Sequence, residues 1–139
     1  MDTPVWVLDT NVIVSGFLSA SGPPGRLLDA ALNGQLTLAL DDRVEAEYAE
    51  VLARPKFGLR KDEIAAFLLE LGFHERPDTI PILPLQLPDP DDLAFVELAM
   101  ATREKLLVTG NRRHFPEGIV KPVRVLTPAA AWSLLCGGN

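Results

Sequence analysis

The chain has 139 residues, a length that predicts a single domain over 1–139, large enough to bury a core without cross-links. Its formal charge of −6 makes the average surface repel nucleic acid, so any nucleic-acid role requires a local basic exception. A lone cysteine, Cys136, excludes an internal disulfide, no apolar run approaches the ~18 residues of a membrane span, and MDTPVW lacks the basic start of a secretory signal; no membrane association and a cytoplasmic location are expected.

The first element, VWVL (5–8), reads as a buried strand broken off by Asp9, Thr10 and Asn11. A helix is expected from about Asn11 to Leu18, then a turn in SASGPPG (19–25) and a second helix over 26–34 with Gly34 near its end. LTLAL (36–40) is a short apolar strand. DDRVEAEYAEVLARP (41–55) carries a start signal, Asp41 or Asp42, and a stop, Pro55. Another helix spans 60–73. TIPIL (79–83) could hold a strand, though Pro81 confines it to an edge or irregular position. A loop, PDPDD, feeds a long helix within 88–105. LLVTG (106–110) and PVRVL (122–126) complete five candidate strands, and Thr127 with Pro128 opens a closing helix over 127–135. His74 reads as loop surface. Strands alternating with crossover helices predict an α/β domain of three layers, with a mainly parallel sheet of about five strands.

Ligands of an open parallel sheet bind beyond the carboxyl ends of its strands. Asp9 falls there, either capping the next helix or serving as a ligand. Glu47 lies on the apolar stripe Val44, Tyr48, Val51, Leu52, where a carboxylate must be paired, protonated, cation-bound or turned to solvent. Asp92 opens the long helix as cap or ligand, with Asp91 beside it. Asn111 follows the LLVT strand and offers an amide oxygen. Clustered oxygen donors suit Mg²⁺ or Mn²⁺, and metal-dependent phosphodiester hydrolysis is the matching chemistry. Basic exceptions are present in RPKFGLRK (54–61), with Arg54 and Lys56, and in NRRHF (111–115), with Arg112 and Arg113. They could follow an RNA backbone or merely decorate helix ends.

Four segments, VLDTNVIVSG (7–16), EYAEVLARPKF (47–57), DPDDLAFVELA (89–99) and VTGNRRHFP (108–116), resemble the PIN-domain ribonucleases, most closely toxin components of bacterial toxin–antitoxin pairs. The resemblance implies a PIN-like fold and a Mg²⁺- or Mn²⁺-dependent endoribonuclease, with RNA as substrate, a cognate antitoxin as partner and a homodimer. It implies Asp9, Glu47 and Asp92 as catalytic metal-binding acids, and Asn11 as the residue orienting the first acid. Thr109 and Asn111 would mark the strand-end site. Many relatives carry a fourth acid where this chain has Asn111, which puts a second metal position in doubt unless Asp91 compensates. A PIN-like module that binds RNA or protein without cleaving it is the alternative. A phosphatase using Asp9 as covalent nucleophile would want a second aspartate where Asn11 stands, and no GxxxxGK[ST] phosphate loop occurs.

Overall fold

Four parallel strands form the centre of the computed structural model, which describes residues 3–72 and 74–137. They are β1 (Val5–Leu8), β2 (Thr37–Leu38), β3 (Leu106–Val108) and β4 (Arg124–Leu126), in the order β2-β1-β3-β4. Val7 pairs with Leu107, and Leu107 in turn with Val125, so β1 and β3 end at the same edge. The apolar runs VWVL and LLV are central because both their faces are covered, and Val7, Leu8, Leu107 and Val108 are fully buried.

Helices wrap the sheet: α1 (Thr10–Leu18), α2 (Pro23–Leu32), α3 (Asp42–Leu52), α4 (Lys61–Leu71), α5 (Leu93–Met100), α6 (Glu117–Val120) and α7 (Pro128–Leu135). Two caps follow the sequence signals, whereas the second helix runs Pro23–Leu32, starting earlier than expected with Pro in its first turn and ending at Asn33, not Gly34. The Asp41 carboxylate accepts from the Val44 amide, and the Thr127 hydroxyl accepts from the Ala130 amide. The long helix is shorter than expected. It begins after a 3₁₀ turn at Pro90–Asp92 and ends before Thr102, whose hydroxyl donates to the Ala99 carbonyl and draws the chain out of helix. The helix α6 had no clear sequence signal.

The sheet has one strand fewer than expected among the described residues. Residues 79–83 do not join it: Pro81 lacks an amide hydrogen, and the Leu83 amide donates to Glu97 Oε2 at 2.9 Å instead of to a strand. Glu97 is buried, and its other oxygen accepts from Arg43 at 2.7 Å, so this acid ties the 79–83 segment to α3 and α5. The β2 edge is closed by a different segment. His74 Nδ1 accepts from the Leu38 amide at 2.9 Å, and the Glu75 carbonyl accepts from Leu40. His74 is thus a structural acceptor and not loop surface, and burial lowers its pKa.

The α1–α2 corner sits close to the chain's own backbone. A Cβ on Gly25 would strike the main chain of Ala20, which has no side-chain freedom with which to yield. Gly25→Ala is expected to cost about 1–3 kcal/mol of stability through this overlap. Chemical denaturation measures it, and an unchanged midpoint would refute the reading.

Candidate active site

The carboxyl edge of β1 and β3 gathers the polar residues. The Asp9 amide donates to the Val108 carbonyl at 2.8 Å, which fixes this residue against β3. One residue earlier, the Leu8 carbonyl accepts a hydrogen bond from the fully buried hydroxyl of Tyr48 on α3. Asp9 occupies the N-cap position of α1, yet its side chain makes no capping bond. It accepts instead from the Thr109 hydroxyl at 2.8 Å and from Asn11 Nδ2 at 3.2 Å. Asn11 in turn accepts from the Gly110 amide at 3.0 Å, and Thr109 accepts from the Asn111 amide at 3.0 Å. The DTN and TGN segments are therefore stitched together, with Asp9 between them. Asn111 itself is half-buried and begins a 3₁₀ turn, Arg112–His114.

Glu47 is half-buried on the same helix as Tyr48 and accepts from the Thr10 hydroxyl at the start of α1. Asp92 is buried and likewise forms no cap; its Oδ2 lies 3.0 Å from His114 Nδ1. Asp89 does the local capping, accepting from the Asp91 amide at 3.0 Å, and Asp91 points outward. One ligand atom from each of Asp89, Asp92 and His114 lies within 4.8 Å of the others. Asp89 and His114 were visible in the sequence, but spacing could not single out one acid of DPDD or place the histidine against Asp92.

Electrostatics bind these groups into one centre. Burial raises the pKa of Asp9, with a further push from Glu47, against the opposing hydrogen bond from Thr109. Asp92 is raised to about 6, first by burial, then by the charges of Asp9 and Asp89, while His114 pulls it down. Packed carboxylates disfavoured as anions are what a cation would relieve. The donor set fits a divalent ion, oxygen-rich with one imidazole.

A family model described as PIN domain matches residues 5–113. The chain belongs to the PIN-domain family. No curated protein and no solved structure matches it at a significant level. PIN domains are in general nucleases, hydrolases that act on nucleic acids and typically use divalent metals. The parallel α/β architecture of this PIN domain accords with that membership. No helix among the described residues is long and apolar enough to cross a membrane.

The basic residues singled out in the sequence differ in what they already contact. Arg54, just past the end of α3, is paired with Glu50 of that helix at 2.9 Å, and the Lys56 ammonium lies over the Phe57 ring, 5.1 Å from its centroid. Arg112 and Arg113 are exposed on the turn that carries His114.

Tyr48 was read from the sequence only as part of an apolar stripe, since a buried hydroxyl leaves no periodic signal. Its removal in Tyr48→Phe leaves the Leu8 carbonyl short of a donor, at an expected cost of about 1–3 kcal/mol. Equilibrium unfolding should show the loss, and a neutral result would mean that the bond contributes nothing.

Proposed function

We propose that this PIN domain is a Mg²⁺- or Mn²⁺-dependent endoribonuclease of the cytoplasm, the toxin of a toxin–antitoxin pair, acting as a homodimer. The observation that supports it most is the convergence of buried Asp9 and Asp92, held by non-acidic partners and both disfavoured as bare anions. Asp9, Asp92, Glu47 and Asn111 would hold the ion, with Asp89 and His114 within reach of Asp92. A divalent ion bound there would supply water activation and neutralise charge on the scissile phosphate.

The chain's own groups have separate tasks. Thr109 and Asn11 aim the Asp9 carboxylate through their two hydrogen bonds. His114 holds Asp92 and favours its anionic form. Arg112 and Arg113, exposed next to His114, attract the phosphate backbone. The scissile bond breaks by attack of water, so no side chain is required as a covalent nucleophile.

A mixture of single-stranded and structured RNA, incubated with Mg²⁺, Mn²⁺ or EDTA, tests the reading. Metal-dependent products are expected, and their absence would overturn it. A neutral Asn111 favours the second reading, an RNA- or protein-binding module without hydrolysis, for which RNA would be retained but left intact. The toxin role predicts an antitoxin in the adjacent reading frame whose co-expression relieves growth arrest.

A further inference from the structure

The 3₁₀ turn Arg112–His114 faces two places. His114 closes on Asp92 in the acidic centre, while Arg112 and Arg113 line a cleft of about 540 Å³ along β4. Lys121 and Arg124 line the same cleft farther from the centre. This chain otherwise neutralises many of its arginines. Arg43 pairs with Asp41 and Glu97, Arg54 with Glu50, Arg60 with Asp62, and Arg76 with Asp42 and Glu45. Among the described residues, Arg112, Arg113, Lys121 and Arg124 form no ion pair, and all four are exposed. One acid, Glu117, borders the cleft, so cations prevail there in a protein of net charge −6.

The backbone adds a donor. The Arg124 amide donates to Lys105 and the Leu126 carbonyl accepts from Thr109, so parallel pairing turns the N–H and C=O of Val125 to the far side. Among the described residues, the order β2-β1-β3-β4 puts no further strand there, in contrast to the closed β2 edge. Exposed Pro122 and half-buried Val125 and Leu126 supply apolar walls between the cations, backed by the buried side chains of Phe115 and Val123. Alternating cations and apolar surface beside a main-chain donor suit a single nucleic-acid strand, with phosphates on the cations and bases on the walls.

We propose that the β4 cleft is a binding track for single-stranded RNA, along which the substrate runs from the acidic centre past Arg112 and Arg113 to Lys121 and Arg124. The track depends on the nuclease reading for its direction, but its affinity does not depend on catalysis. Lys121 and Arg124 also lie beyond the stretch matched by the family model.

The test is binding of a fluorescent oligouridylate in EDTA, across a salt series, with the full chain. Each phosphate contact in a single strand contributes a slope of about 0.7 to the fall of log affinity with log salt. Lys121→Gln with Arg124→Gln should lower the slope by about 1.4 and weaken binding several-fold at low salt. Arg112→Gln with Arg113→Gln should do the same. The glutamines keep polar stems, and circular dichroism checks folding. Arg76→Gln, at the opposite edge of the sheet, removes equal charge per site and should leave the slope unchanged.

Unchanged affinity and slope in the Lys121/Arg124 pair would overturn the track, even if the wild type cleaves RNA. Retention of cleft-dependent binding by a protein that never cleaves would support the track while removing the nuclease reading. Polyglutamate binding that depends on these four residues, with no RNA binding, would overturn the track in favour of an acidic protein partner.

Discussion

Asp9→Asn is expected to reduce metal-dependent RNA cleavage by more than about 100-fold while the protein stays folded. Loss of an outer partner of a metal ligand typically costs 10–100-fold, and Asp9 stands inside such a shell, gripped by Thr109 and Asn11. The asparagine can keep part of this grip through its amide oxygen, so the change removes charge more than shape. Single-turnover cleavage at saturating RNA measures the loss, and binding in EDTA should persist. Activity within a few-fold of wild type would mean that the reaction does not pass through this carboxylate.

Removing the charge of Asp92 should do the opposite to stability. Its pKa is raised from 3.8 to about 6 in the folded chain, so folding favours its protonated form. The stability contributed by this group is complete below about pH 4 and is lost as the pH rises through about 6. At neutral pH the ionised, metal-free site is therefore strained, and Asp92→Asn should be more stable than wild type by about 1–3 kcal/mol. That advantage should fade toward pH 4. Added Mg²⁺ or Mn²⁺ should reverse the order: an ion at ~100 times its Kd stabilises the wild type by about 2.7 kcal/mol, and the variant responds less. Melting curves at several pH values, with and without metal, decide it. A variant that is never more stable, in a protein indifferent to metal, would remove Asp92 from any cation site.

Much of this arrangement could be read from residue order because its parts are local. VWVL followed by DTN announces a buried strand with polar groups at its tip, and LLV followed by TGN repeats the device. Parallel pairing of the two strands then carries Asp9 to Thr109 without further information. The misplaced strand at 79–83 shows the limit of pattern. Its apolar residues flank Pro81, and the decisive factor was a distant buried acid, Glu97, that takes the Leu83 amide. His74 likewise gained its role from Leu38, which lies 36 residues away. In DPDD the acids are equivalent by composition, and only the 3₁₀ turn separates capping Asp89 from buried Asp92 and outward Asp91. Arg54 and Arg112 look alike as sequence; a glutamate one helical turn before Arg54 makes the difference.

The bond from Tyr48 to the Leu8 carbonyl has a geometric consequence. On each of the two elements it joins, the adjacent residue is an acid: Glu47 beside Tyr48, and Asp9 beside Leu8. One residue of each pair joins the frame and its neighbour carries the acid, so the bond fixes the backbone anchors of the two carboxylates relative to each other. For the divalent ion proposed above, anchors that do not spread would favour small ions with strict coordination over large ones whose ligands must move apart.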